Sequence, residues 1–266
     1  MSDCEVFYKN NNDLKREDVQ TLEDWLKHQT QIPPITDRLL ILFLHSCYYH
    51  IEATKKCIEE FFKARPLYPE FFKNRDPRQF ETKLMNFCIA PLSKLTPEGY
   101  GIIYISLINT DPQTYDFDLH VKTLDMICLR WLQEVGCLKG HVLVFDLEGG
   151  SLSHLMRVKL RSVKSLIHYV QDSFPIRLKA IHFCNPILMM SAIMKLIKPF
   201  INSGVMSVLQ VHSGNAVLDH IPADCLPDSV GGTLLRSKIH AEAVDTLIKN
   251  AEYFVEEEKK FTIETN

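Results

Sequence analysis

Three groups of residues in this chain have the types and local spacing to do chemistry. Ser151, Ser153 and His154 follow the carboxylates Asp146 and Glu148 at the end of a short apolar run. Serine, histidine and a carboxylate together are the parts of a hydrolase. That chemistry also needs an oxyanion hole and a nucleophile held on an exposed, strained turn. No Gly-x-Ser-x-Gly elbow surrounds either serine, so the group reads as turn residues. Asp146 and Glu148 could act as an acid/base pair, but strand-end carboxylates more commonly cap or pair. His45, Cys47 and His50 form a second group, and His182 with Cys184 a third. Their side chains suit zinc, yet neither set completes a zinc-ligand spacing. Structural histidines are the expectation. There is no Walker loop and no dinucleotide glycine fingerprint, and Gly231-Gly232 reads as a turn. No catalytic residue, metal or cofactor is expected.

The chain holds 30 basic and 33 acidic side chains, a net charge of -3. That excludes a global basic field for nucleic acid or for an anionic membrane. Any membrane attraction must be local. No exposed interleaving of aromatic and basic residues marks a nucleic-acid surface. Residues 1–12 lack the apolar centre of a signal peptide, and no apolar run reaches bilayer length. The eight cysteines are scattered, without a Cys-x-x-Cys pair. Reduced thiols in a cytoplasmic protein are expected.

The elements that position these residues follow from hydrophobic period. Residues 17–28 form a helix with Val19, Leu22 and Leu26 on one face. Thr36-Asp37 starts a second, densely apolar helix, and residues 51–64 form a third. Residues 87–92 and 101–108 are strand-like and joined by a Pro/Gly turn, as in a hairpin. Val121, Leu124, Cys128, Trp131, Leu132 and Val135 make the inner stripe of a helix that Gly136 closes. Residues 142–147 are a buried-type strand. Val163, Leu166, Ile167, Val170 and Phe174 mark a helix stopped by Pro175, and residues 176–183 a further strand. Strand, helix and strand at that spacing imply parallel pairing. Residues 205–212 read as another strand, and residues 241–260 as one charged terminal helix.

Residues 186–198 are unusual. Pro186 would sit in the first turn of a helix and Pro199 would end it. From Ile187 to Lys198 only Ser191, Lys195 and Lys198 are polar. A surface helix shows one apolar stripe, but this one is apolar most of the way round. It is either a core helix or has one side on something apolar that is not protein. Met189, Met190 and Met194 fit the second, because methionine fills changeable space.

Several short runs then stand in order: Phe145-Asp146-Leu147-Glu148-Gly149, Asp172-Ser173-Phe174-Pro175, Ile181-His182 with Asn185, Ile197-Lys198-Pro199-Phe200, and Leu226-Pro227 with Gly231-Gly232. This set, over roughly 90 residues, resembles the CRAL-TRIO family of lipid-transfer proteins, nearest to its tocopherol and retinaldehyde carriers. The resemblance implies an α/β fold: an N-terminal helical module over residues 1–85, a lipid-binding domain over 86–240, and a C-terminal helix over 241–266. It implies a mostly parallel mixed sheet, helices enclosing an apolar cavity, and residues 186–198 as its lid. The implied wall comprises Leu124 and Cys128, Leu143 and Phe145, Leu166 and Val170. It continues through Phe174, Ile176, Leu178 and Ile181, and Met190, Ile193, Met194 and Ile197 close it from the lid.

Arg177 and Lys179 alternate with Ile176 and Leu178, which puts the basic pair on the opposite strand face. In the family the matching pair helps to hold a phosphoinositide headgroup, with a second basic pair after the lid. Here residues 201–210 contain no Lys or Arg, and Gly204 and Val208 stand at those places. A second departure follows Phe43-Leu44, where His45-Ser46-Cys47 replaces the family's basic residues. The expectation is a non-enzymatic, monomeric cytoplasmic carrier of one small lipid of the tocopherol, retinoid or isoprenoid kind, with a lipid-sensing adaptor that does not transfer its ligand, or a hydrolase of a hydrophobic ester, as the alternatives. Its membrane contact would be transient and salt-sensitive, without sharp phosphoinositide selectivity, and it would have no nucleic-acid partner.

Overall fold

The computed structural model describes residues 4–186 and 190–261. The chain opens with helices α1 (Glu5–Asn10), α2 (Arg16–Leu26), α3 (Asp37–Ser46), α4 (Ile51–Leu67), α5 (Pro69–Phe72) and α6 (Glu81–Leu84). Strands β1 (Phe87–Pro91) and β2 (Tyr100–Leu107) follow, then α7 (Phe117–Val135) and β3 (Gly140–Asp146). Next come α8 (Leu152–Met156), α9 (Leu160–Asp172), β4 (Leu178–Cys184), α10 (Met190–Ile197), α11 (Ser203–Ser207) and β5 (Leu209–His212). Short 3-10 turns lead to α12 (Arg236–Lys249) and α13 (Ala251–Phe261).

The sheet order is β1-β2-β3-β4-β5. β1 pairs with β2 antiparallel, as the hairpin reading required, and the other three pairings are parallel. The sheet is therefore mixed and mostly parallel. Register aligns two apolar rows across one face. Ile103, Leu143, Ile181 and Leu209 form one, and Ile105, Phe145, Phe183 and Val211 the other. The opposite face carries Ile102, Tyr104, Val142, Val144 and Cys184. It is covered by Val217, Ile221, Leu226 and Val230 from the 3-10 region, with Ile239 and Ala243 of α12.

Local chemistry sets the helix ends. Thr36 Oγ1 accepts from the Leu39 N–H at 3.3 Å, and Asp116 Oδ1 from the Leu119 N–H at 3.1 Å. Gly136 ends α7 with φ +78°, where a Cβ would drive into the Phe7 ring. That approach seats α1 against the end of α7.

The N-terminal helices are not an independent ball. Phe43, Phe61, Phe62, Phe71 and Phe72 share one core with Leu129 of α7, Tyr169 of α9 and Phe261 of α13. At this seam Arg75, 0% exposed, donates to Asp125 at 2.6 Å and to Glu257 at 2.8 Å. Tyr169 donates to the other oxygen of Asp125. Burial opposes the charge of Arg75, but the two carboxylates more than offset it and raise its pKa. The Arg65 guanidinium lies over Phe61, Phe72 and Phe261 at 4.3, 4.8 and 4.6 Å.

Two expected elements differ. Residues 205–212 were to be one strand, but Val205 lies in α11 and the strand begins at Leu209. Asn202 is the cause: its Oδ1 accepts from the Val205 N–H at 2.9 Å and starts a helical turn. The single terminal helix is two, because it starts at Arg236 and breaks at Asn250. Asn250 turns its Nδ2 back onto the Thr246 carbonyl at 2.8 Å, competing with the helix ladder.

Candidate functional site

The site is built on the two apolar rows. Over them lies the inner stripe of α7: Leu124, Cys128 and Trp131 pack with Ile103, Leu143 and Ile181. Phe145 and Phe183, side by side in register, stack at 5.1 Å between centroids. Phe174 and Ile176 on the connection into β4, Leu178 at its start and Val205 of α11 pack against the same cluster. Leu124, Cys128, Leu143, Phe145, Phe174, Ile176, Leu178 and Ile181 thus come together in one cluster. Cys128 is buried, and burial pushes its thiol pKa far up, so it is an inert thiol among these apolar side chains. Leu124, Phe145, Phe174, Ile176, Leu178 and Phe183 are only half-buried, so this face presents apolar surface that protein does not fully cover.

The remaining expected wall residues are placed differently. Leu166 packs against the aromatic core of the N-terminal module. Val170 is half-buried one turn further along α9. In α10, Met190 is buried, while Ile193, Met194 and Ile197 are half-buried. Ser191, Ala192, Lys195 and Lys198 face outward. The helix is described from Met190; Ile187, Leu188 and Met189, expected in its first turns, lie outside the described residues. Ile103, Ile105 and Phe183 were not among the expected wall residues. Strand parity carries the signal for all three, since they share a row with Leu143 or Phe145. Trp131, one turn after Cys128, carries it by helical period.

The expected alternation over Ile176 to Lys179 is interrupted, because β4 begins only at Leu178 and its register with β3 shifts past Lys179. Arg177 and Lys179 meet the end of α3. Arg177 Nε donates to the His45 carbonyl, and its guanidinium lies 4.3 Å over Tyr48 and 5.2 Å from Tyr49. Lys179 Nζ donates to the Tyr48 hydroxyl at 3.0 Å. Tyr48 and Tyr49 both adopt positive φ, 53° and 64°, which turns the chain sharply after α3.

The residues with catalytic types have structural partners. Asp146 Oδ2 accepts from the Tyr104 hydroxyl at 2.8 Å, and Oδ1 from Asn185 Nδ2 at 2.8 Å and the Glu148 N–H at 3.1 Å. Asn185 also donates to the Ser229 carbonyl at 3.2 Å and holds φ +50°, so Asp146 fixes the chain just after β4. His154 Nδ1 accepts from the Ser151 N–H at 3.1 Å and sits 2.8 Å from Ser151 Oγ. This is a capping box at the start of α8. His154 Nε2 is buried without a hydrogen-bond partner, so no carboxylate orients the ring as a triad would. Among the described residues, no group of three or more His, Cys, Asp or Glu is placed to hold a metal ion.

A separate groove of 380 Å³ lies between β1, α7 and α12. Its lining mixes Leu92, Ile127 and Phe254 with Arg130, Glu134, Lys238 and Glu242. The apolar rows fit a hydrophobic ligand better, because they present few polar groups to desolvate. No helix among the described residues is long and apolar enough to cross a membrane.

Comparison with known proteins gives this geometry a family. Residues 88–232 match the CRAL/TRIO domain, and residues 11–82 match a Pinta-like UBA domain. The chain is similar to human alpha-tocopherol transfer protein-like, 25% identical over 221 residues, covering 81% of this chain and 65% of that protein. Its mouse counterpart is 26% identical over 246 residues, 91% of this chain and 70% of the relative. Clavesin-1 of Xenopus laevis is 26% identical over 232 residues, 84% of this chain and 70% of the relative. The chain therefore spans just under two thirds of its human relative's length. The crystal structure of Sfh5 matches with a TM-score of 0.56 at 12% identity, over 92% of this chain and 98% of that one, a likeness of fold alone. With its mixed sheet, N-terminal helices and a domain match over more than half its length, the chain belongs to the CRAL/TRIO domain family.

Proposed function

We propose that this chain binds one small hydrophobic lipid and carries it between membranes, without catalysing a reaction. Family membership supports lipid binding in general. The observation that supports the finer reading is the apolar cluster on these rows, half-buried at Phe145 and Phe183 of the rows and at Phe174, Ile176 and Leu178 beside them; in this reading α10 is its cover. The ligand class is a tocopherol-like, retinoid or other isoprenoid lipid, the kind of slender apolar molecule that an aliphatic and aromatic wall accepts. Burying about 400 Å² of apolar ligand surface gives roughly 10 kcal/mol at 25 cal/mol per Å². Lost ligand freedom and desolvation remove much of this. The net affinity is compatible with release at a membrane. The protein works in the cytoplasm with transient peripheral membrane contact, and α10 moves aside there to pass the ligand.

The test is native mass spectrometry of the purified protein, followed by extraction of what it holds. One stoichiometric isoprenoid-class adduct is expected. A protein that binds none of a panel of tocopherols, retinoids and carotenoids, with or without membranes, refutes the reading.

A further inference from the structure

Two thiols sit side by side where the N-terminal helices meet the rest of the fold. Cys47 ends α3 and is half-buried, between Ser46 and the exposed Tyr48. Cys57 lies on α4 in the buried aromatic core, against which Cys47 packs. The Cys47 sulfur faces α4 at Thr54 and Cys57, which share a helix face because one turn separates them. Ser46 Oγ is 3.8 Å from Cys47 Sγ. Cys57 Sγ lies beside the same sulfur and donates to the Ser173 carbonyl at 3.4 Å. Both thiols are free, and the chain between them doubles back through the left-handed turn at Tyr48 and Tyr49.

Their surroundings set their reactivity apart. The Cys57 S–H first, then the Ser46 and Thr54 hydroxyls and the charge of Arg177, outweigh burial and hold the Cys47 pKa below the ordinary thiol value. Arg177 is kept in place by the His45 carbonyl, to which its Nε donates, and by the Tyr48 ring at 4.3 Å. Cys57 goes the other way, raised by the neighbouring Cys47 sulfur and by burial. Burial likewise pushes the thiols of Cys88 and Cys137 up to about 12. A partly exposed thiol that ionises readily, with a protonated thiol at its side, is the arrangement of a peroxide-reactive cysteine and its resolving partner.

We propose that Cys47 and Cys57 form a reversible redox site, in which hydrogen peroxide oxidises Cys47 and Cys57 closes a disulfide with it. The Cys47 thiolate attacks one peroxide oxygen. The O–O bond breaks, hydroxide leaves and takes up the proton that Cys47 gave away, and Cys47 becomes a sulfenic acid. The Cys57 sulfur then attacks the Cys47 sulfur. The S–O bond breaks, and the departing hydroxide takes the Cys57 proton and leaves as water. The two thiols have lost two hydrogens and two electrons, and one peroxide has become two waters. The bond fixes the turn after α3 to α4. It also takes an S–H donor from the carbonyl of the buried Ser173, next to Phe174 of the apolar cluster. A small thiol such as glutathione returns both cysteines to the reduced state by exchange. None of these steps depends on the chain being a lipid carrier.

The test is peptide mapping of the full chain, prepared reduced, treated with hydrogen peroxide at neutral pH, then alkylated and digested without reductant. Lys55 and Lys56 stand between the two cysteines, so trypsin leaves them on residues 39–55 and 57–63. The expected product is those two peptides joined, lighter by two hydrogens than their sum and separated again by dithiothreitol. In the folded protein it should form at least about ten-fold faster than Cys88 or Cys137 is oxidised, since reaction follows thiolate character. Cys57→Ser is expected to stop at the Cys47 sulfenic acid, which dimedone traps, and Cys47→Ser to leave Cys57 a thiol. If circular dichroism shows that either variant does not fold, the wild-type map decides by itself. Cys47 and Cys57 both remaining thiols under peroxide, or joining only after unfolding in urea, overturns the site. So does a disulfide from Cys47 to any other cysteine, or equal dimedone labelling of Cys47 with and without Cys57.

Discussion

Replacing Arg75 by Met should destabilise the fold more than any exposed substitution. The guanidinium is fully buried, between Asp125 at 2.6 Å and Glu257 at 2.8 Å. Met keeps most of the volume but leaves two buried carboxylates without their main partner. Removing one partner of a buried pair costs about 3–5 kcal/mol, because a charge is left uncompensated. Arg65, 4.0 Å from Asp125, and the Tyr169 hydroxyl moderate the cost on one side, while among the described residues Glu257 would be left with Tyr253 at 3.1 Å. The expected loss is therefore about 4 kcal/mol. At roughly 2–4 °C per kcal/mol for a protein of this size, Tm falls by about 8–16 °C. Urea denaturation followed by circular dichroism measures the loss, and thermal melting gives Tm. Combining Arg75→Met with Asp125→Leu and Glu257→Leu should recover part of the loss, because an apolar set of similar volume needs no charge compensation. A shift of under about 1 kcal/mol for Arg75→Met, the range of a surface pair, would refute the claim that this cluster joins the N-terminal helices to α7, α9 and α13.

The remaining predictions concern pH, the wall and the lid. Burial lowers the His45 pKa to about 3 and holds His141 and His182 at about 4. Between these values and 6.5 the unfolded chain binds more protons than the native one, so stability is complete above pH 6.5 and declines as pH falls toward 4. Denaturant midpoints at pH 7 and pH 5 should differ in that direction, and His182→Phe should flatten the slope; a rising midpoint on acidification would contradict it. An alkylating reagent should modify Cys128 slowly in lipid-loaded protein and faster after stripping; equal rates would remove it from the ligand wall. Met194→Asp should abolish lipid retention while leaving the melting profile near wild type, since a charge facing an apolar ligand is strongly disfavoured; wild-type lipid content would place Met194 outside the site.

The α7 stripe was legible because helical period is a local pattern, and its Leu124 and Cys128 do pack in one cluster. The proposed wall rests on the resemblance carried by the motif runs, which named Leu143 and Ile181 without pairing them. What local pattern cannot supply is the partner of a buried charge: Arg75 meets carboxylates 50 and 182 positions away. The basic pair at the start of β4 shows the same limit. Alternation predicts one shared face for Arg177 and Lys179, but β4 begins only at Leu178, and only the fold brings Tyr48, on its left-handed turn after α3, beneath them. The late start of β5 is readable in the sequence, since Asn202 ahead of Ser203-Gly204 is a helix-cap signal.

The measurement that tests the central claim most directly is vesicle-to-vesicle transfer of a fluorescent tocopherol or retinoid analogue. Donor vesicles carry the lipid with a quencher, and acceptors carry none. The account predicts that catalytic amounts of protein accelerate transfer, that the rate rises with anionic acceptor lipid, and that Met194→Asp abolishes it. Tight binding of the lipid with no acceleration of transfer would contradict the account and leave a lipid-sensing adaptor in its place.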